Sequence, residues 1–342
     1  MGKLRLLIFV ALCILMIVTI KMPSNVQLIL ANKAQSSPSK TNLFLPLVSI
    51  PSVKNTPPLL PPRRGIAPDN FDQLHPQISQ LADWSFRWSA YDGEYPTNNQ
   101  HELVPMLVFS KGLPTPETIR SIDRKTDLNT GHDYWLVFNE CEVWIQCGTA
   151  PEKQARFFHD EVLPLINAHD PDARLIIGGI IANEKGLAWL TTFLESYRAL
   201  AGQDLPRAGW HFHIYPEVDG VKPSTAQFIA SAERFQAWVN INGKPEDEVW
   251  LTEMGCLSQP LCKDVPNYLA DILAYLNGEN GRWITRYAWY TSYSKSDCYA
   301  CSYNPETFQL SESYPHELTE LGRFYANHST QPAIYPRAAP EE

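Results

Sequence analysis

The run Tyr134-Trp135-Leu136-Val137-Phe138-Asn139-Glu140 is uncharged until its last residue, where an amide and a carboxylate stand side by side. Strand-forming residues that are apolar on both faces mark a parallel strand covered on each side. Val249-Trp250-Leu251-Thr252-Glu253-Met254-Gly255 repeats the design further along. In such folds chemistry sits where the parallel strands end. Glu140 and Glu253 are therefore the first two residues to consider as a pair.

Outward from these runs, short strand-like segments alternate with amphipathic helical ones. Strands are expected at Gly65–Ala67, Trp84–Ser89, Leu103–Phe109, Tyr134–Glu140, Ala173–Ile180, Ala208–Tyr215, Val249–Glu253 and Ile284–Thr291. In the second of these, alternation puts Trp84, Phe86 and Trp88 on one side and Ser85, Arg87 and Ser89 on the other. Helices are expected near Leu74–Ala82, from Pro116, and over Pro151–His169, Leu187–Ala201, Thr225–Asn240, Asn267–Leu276 and Leu318–Ala326. Pro116 suits a first helical position, where its missing N–H has no partner to lose. Phe157, Phe158, Val162, Leu165 and Ile166 fall at helical spacing. The alternation over residues 63–330 predicts an α/β chain folded as a (β/α)8 TIM barrel. A doubly wound open sheet is the alternative, and no Gly-rich phosphate loop follows the first strand to favour it.

A net charge of -9 argues against nucleic acid, because phosphate binding needs a basic surface. Ten Trp, fifteen Tyr and fourteen Phe lean toward sugars, whose apolar faces stack on aromatic rings. Lys3 and Arg5 precede an apolar run from Leu6 to Ile20, so residues 1–22 read as an export signal, either removed or kept as a membrane anchor. Residues 23–62 form a Pro/Ser-rich linker, and residues 331–342 a tail. The expected location is secreted or extracytoplasmic. Cys141, Cys147, Cys256, Cys262, Cys298 and Cys301 form three close pairs, as an oxidising compartment favours. Pairing within each cluster is the simplest of the connectivities that six cysteines allow. Cys298-Tyr-Ala-Cys301 also has metal-ligand spacing, with no second such motif to complete a site.

In a barrel, Glu140 and Glu253 end two strands on one face. Paired carboxylates in that setting suit retaining glycoside hydrolysis, in which one protonates the leaving oxygen and the other attacks the anomeric carbon. Glu142 and Glu217 are further carboxylates on the same face, and Glu140 is preferred because it adjoins Asn139. A charged Glu253 needs donors, for which Tyr215 and Arg87 are candidates. Trp144 is placed to stack on a sugar at the rim. His211 and His213 share one strand face, either as a packed wall or as ligands of a metal-dependent hydrolase.

Phe138-Asn139-Glu140 and Leu251-Thr252-Glu253-Met254-Gly255 resemble the two signature strand ends of clan A retaining glycoside hydrolases. The stretch from Arg63 to His328 resembles the glycosyl hydrolase catalytic domain of the family 128 type. Its supporting marks are Trp210-His211-Phe212-His213-Ile214-Tyr215, Arg286-Tyr287-Ala288-Trp289 and Leu318-Thr319-Glu320-Leu321-Gly322. The resemblance implies that Glu140 is the acid/base and Glu253 the nucleophile. It implies that Asn139 holds a sugar 2-hydroxyl, that His213 and Tyr215 line the site, and that Trp289 is a stacking platform. The family often has Pro after its Asn-Glu pair. Here Cys141 stands there, and a Cys141–Cys147 bridge would replace what Pro fixes. The implied partner is a polysaccharide or oligosaccharide, foremost a β-1,3-glucan. The chain would act as a monomer, without cofactor or metal. A carbohydrate-binding barrel without catalysis is the rival from another class.

Overall fold

Strand and helix alternate as the pattern of apolar runs requires. The computed structural model describes residues 63–67, 82–90, 102–108, 112–129, 134–216, 224–256, 265–290 and 320–328. The strands are β1 Arg64–Ala67, β2 Trp84–Phe86, β3 Glu102–Val104, β4 Met106–Leu107, β5 Tyr134–Val137, β6 Arg174–Ile181, β7 Gly209–Ile214, β8 Glu248–Met254 and β9 Arg286–Tyr290. The helices are α1 Pro116–Asn129, α2 Pro151–Phe157, α3 Leu163–His169, α4 Glu184–Ala201, α5 Thr225–Asn242, α6 Val265–Asn277 and α7 Glu320–Asn327. A π turn, Phe158–Val162, joins α2 to α3 inside the helix expected over Pro151–His169.

All neighbouring strands pair in parallel, in the order β3-β2-β1-β9-β8-β7-β6-β5-β4. The two ends of that order, β3 and β4, are separated only by Pro105. On one side Val104 O accepts from Arg87 N; on the other Pro105 O accepts from Leu136 N. The segment is thus one barrel strand that bonds β2 with its first half and β5 with its second. Pro105 has no N–H to give to a ladder, so the change of partner falls there. The ring closes with eight staves, and the barrel expected from the sequence is the fold.

Alternate residues divide the core into two layers. Trp84, Phe86, Tyr134, Leu136, Trp250 and Ala288 pack together inside the barrel. Trp135, Val137, Trp210 and Phe212 face outward against Phe158, Phe193 and Phe235 of the helical layer. Charged first residues of the strands floor the interior. Arg286 Nη1 donates to Glu102 Oε2 over 2.7 Å, both side chains buried. The same guanidinium lies 4.2 Å from the Trp250 ring centroid and 4.8 Å from that of Tyr134. Glu248 accepts from Tyr134 OH, Arg174 Nη2 and Trp250 Nε1.

Residues 68–81, with the helix expected near Leu74–Ala82, lie outside the described residues, as do residues 1–62 and the tail. Among the described residues no helix is long and apolar enough to cross a membrane. Cys141 and Cys147 form a disulfide, and Cys256 is disulfide-bonded; Cys262, Cys298 and Cys301 lie outside the described residues. One correction concerns β5, which ends at Val137 and not at Glu140, because the backbone turns left-handed at Phe138.

Removing one member of a buried ion pair leaves an uncompensated charge. Arg286→Ala is expected to lower unfolding stability by about 3–5 kcal/mol, read from denaturant melts.

Candidate active site

The site begins where β5 stops being a strand. Phe138 has φ 80° and Glu140 φ 46°, a left-handed region that residues with a Cβ rarely enter. Each such residue costs on the order of 1–3 kcal/mol, so its surroundings must impose it. The Phe138 ring is held edge-on by Phe158, Trp189 and Phe193. The Glu140 N–H is held by Gly179 O at 2.6 Å. Facing them, Gly178 and Gly179 make a bulge in β6 with φ of 138° and 60°. A Cβ on Gly179 would stand 2.7 Å from His211 Cε1 and 2.9 Å from Phe138 O. Only glycine lets β6 approach β5 so closely. The two distorted backbones lock together, and the lock turns Asn139 and Glu140 to the C-terminal mouth of the barrel.

A second bulge sits opposite. Pairing of β8 shifts register against both β7 and β9 around Thr252 and Glu253. Thr252 reaches His211 and Glu253 reaches Trp88 and Tyr215, so two successive side chains serve the interior. One oxygen of Glu140, one of Glu253 and a ring nitrogen of His213 all lie within 4.8 Å of one another. His213 Nδ1 is 2.9 Å from Glu140 Oε1 and 3.6 Å from Glu253 Oε2. Trp88 Nε1 donates to Glu253 Oε1 at 2.9 Å and Tyr215 OH to its Oε2 at 2.7 Å.

Burial pushes the Glu253 carboxyl above its ordinary value and Glu140 adds to this, while His213, Tyr215 and Trp88 oppose it. Burial pulls the His213 imidazole down, but the Glu253 and Glu140 carboxylates outweigh it and leave the group raised. Burial and the same carboxylates hold Tyr215 well above its usual value, so it stays an O–H donor. His211 behaves differently. Burial, with His213 nearby, lowers it to about 3. Its Nε2 faces Val137 O at 3.0 Å and must carry the proton; Nδ1 then accepts from Thr252 Oγ1 at 2.9 Å.

Five expected residues gather here: Asn139, Glu140, His213, Tyr215 and Glu253. Asn139 is buried, and its Oδ1 has no hydrogen-bond partner among the described residues. Two expectations fail on geometry. Trp289 is 0% exposed in the layer between barrel and helices, so no ring face is open to a sugar; Tyr290, the next residue, packs against Trp88 and Tyr215 at the mouth. His211 is fully buried with both ring nitrogens used, so it neither lines the site nor offers a lone pair to a metal alongside His213. Arg87 is half-buried, and Glu253 is reached by Trp88 and Tyr215. Trp144 is 83% exposed in the Cys141–Cys147 loop. Glu217 lies outside the described residues. Trp88 was missed as a donor: alternation grouped it with Trp84 and Phe86, and the expected donor was Arg87 on the opposite side. His211 is held neutral by the fold, and that contribution to stability is complete above its ordinary value near 6.5 and is lost as pH falls toward about 3. Nitrogen NMR of the ring is expected to show a neutral imidazole at about pH 5, where an ordinary histidine is charged.

Residues 66–325 match the family model described as glycosyl hydrolase catalytic core. Among solved structures, the chain is similar to an endo-beta-1,3-glucanase of GH128 subgroup II from Pseudomonas viridiflava, at 20% identity and TM-score 0.57, over 78% of this chain and 97% of that one. It is similar to a subgroup III curdlan-specific exo-beta-1,3-glucanase from Blastomyces gilchristii, in complex with glucose, at 21% identity and TM-score 0.55, over 78% and 98%. It is also similar to a subgroup I endo-beta-1,3-glucanase from Amycolatopsis mediterranei, in complex with laminaripentaose, at 19% identity and TM-score 0.54, over 78% and 98%. No protein of curated function matches the chain. With the barrel, the paired strand ends and a family match over most of its length, the chain belongs to the glycosyl hydrolase catalytic core family.

Proposed function

We propose that the chain is a retaining glycoside hydrolase of the family 128 type that cleaves β-1,3-glucan by double displacement. The observation that carries this reading is the placement of Glu140 and Glu253 oxygens within 4.8 Å, with His213 between them. Retaining enzymes hold their carboxyls about 5–5.5 Å apart, whereas inverting ones need about 6.5–9.5 Å to admit a water. In the first step Glu140 gives its proton to the glycosidic oxygen. The carboxylate of Glu253 attacks the anomeric carbon and the leaving sugar departs, giving a glycosyl ester on Glu253. In the second step Glu140 takes a proton from water, and the resulting hydroxide displaces Glu253.

The roles follow from surroundings. Glu253 is held by a donor on each oxygen, which fixes its aim and supports its charge. Glu140 is the more open of the two, and must meet both a leaving group and a water. His213, raised and within reach of both, steadies negative charge as it passes from one to the other. Asn139 Oδ1, buried and without a partner among the described residues, is positioned to accept from a sugar hydroxyl. The substrate class rests on the printed activities of the similar structures, endo- and exo-beta-1,3-glucanases. The Cys141–Cys147 disulfide supports export to an oxidising compartment.

The test is hydrolysis of a panel of β-glucans by the wild type, Glu140→Gln and Glu253→Gln. Wild type is expected to cleave the 1,3-linked glucan, and each variant to lose about 10²–10⁴-fold or more in kcat. Glucan binding without cleavage by the wild type, unchanged in both variants, would mark a binding barrel instead.

A further inference from the structure

Glu142 lies two residues past Glu140, inside the loop closed by the Cys141–Cys147 disulfide. It is buried, and its Oε1 accepts the Ile181 N–H at the end of β6 over 2.7 Å. Its Oε2 is buried with no hydrogen-bond partner among the described residues. The same bulged strand end takes the Glu140 N–H on Gly179 O. The segment carrying Glu140 is therefore tied to β6 at two points, and one of them is a carboxyl. With one oxygen unpartnered in an interior, the neutral acid is the comfortable form and the ion is not.

We propose that Glu142 is a positioning residue for Glu140, which clamps the loop to β6 as a neutral acid and releases it on ionising. This deepens the hydrolase reading above and rests on it for the role of Glu140.

The charges around Glu142 come from each packed element. Glu140 lies on its own loop and His213 reaches in from β7, with Glu253 of β8 beyond it. From β6 it meets a backbone N–H only. Arg234 of α5 is bound to Ala182 O at 3.1 Å, and Glu184 and Lys185 of α4 are exposed. Burial pushes the Glu142 carboxyl up to about 7; the Ile181 N–H, its own backbone N–H and His213 oppose this and Glu140 adds to it. Because the folded value lies above the ordinary one, the clamp is complete at acid pH and is lost as pH rises through about 7. A bare charge formed there gains by reaching water. The loop it sits on already exposes Trp144, Ile145 and Gln146. Its outward shift carries Glu140 away from His213.

Glu142→Gln keeps an oxygen for the Ile181 N–H and cannot ionise. In the wild type kcat/KM on β-1,3-glucan is expected to fall as pH rises through about 7. The ratio of kcat/KM at about pH 8.5 to that at about pH 6 is expected to be about ten-fold or more higher in E142Q. Two readouts need no catalysis. Amide exchange at Ile181, corrected for its intrinsic rate, is expected to lose protection through about pH 7 in the wild type and not in E142Q. Carbon NMR of the Glu142 carboxyl in the wild type is expected to titrate near 7. Loss of Ile181 protection in the wild type alone, in a protein that cleaves no glucan, would sustain the clamp and sink the hydrolase reading. Superimposable pH profiles and equal Ile181 protection in the two proteins would overturn the proposal. So would an ordinary Glu142 titration near 4.5.

Discussion

Two carboxylates held within 4.8 Å in a largely buried site repel each other, and the fold has to overcome that repulsion to keep them there. At such a separation, in a medium poorer than water, like charges interact by several kcal/mol at an effective dielectric constant of about 20. The surroundings of the pair answer this directly. His213 sits within reach of both, Trp88 and Tyr215 each give a hydrogen bond to Glu253, and Tyr215 cannot easily lose its proton. These groups decide where the charge of the pair rests: His213, Tyr215 and Trp88 favour the anion on Glu253 against burial and the neighbouring Glu140.

Regular strands alone do not bring these atoms together. A period of two points successive side chains to opposite faces. The site needs Thr252 to bind His211 and the next residue, Glu253, to reach Trp88 and Tyr215, which takes the shift of register in β8. It needs Asn139 and Glu140 turned out of line with β5, which takes two left-handed residues and the facing Gly178-Gly179 bulge. His211 is the piece that joins the two distortions. Its ring bonds Val137 O at the end of β5 and Thr252 at the β8 bulge, and its Cε1 is the atom a side chain at Gly179 would strike. A fully buried histidine thus ties together the two strand ends that carry Glu140 and Glu253.

The barrel was legible in the sequence because eight apolar runs alternate with amphipathic ones, and burial on both faces leaves strands with few charges. The pair was legible because each glutamate closes such a run. The same property hid the side-chain directions. A run that is apolar on both faces carries no period of two, so nothing in Arg286-Tyr287-Ala288-Trp289-Tyr290 shows which aromatic faces in, and Trp289 was given the place of Tyr290. The bulges were written as Gly178-Gly179 and nothing more, and the handover of partners at Pro105 as one proline inside a strand. Alternation grouped Trp88 with Trp84 and Phe86 but did not say which side faces the site; Trp88 N–H reaches Glu253 at the β8 bulge, which sequence spacing does not encode.

The central claim is that Glu140 and Glu253 act as one retaining pair. Proton NMR of the first sugar released from a β-1,3-linked oligosaccharide, recorded before mutarotation, tests it most directly. The account predicts that the β anomer appears first and the α anomer follows only as the product equilibrates. The α anomer appearing first would mean a single displacement by water, and the pairing of these two carboxylates would be wrong.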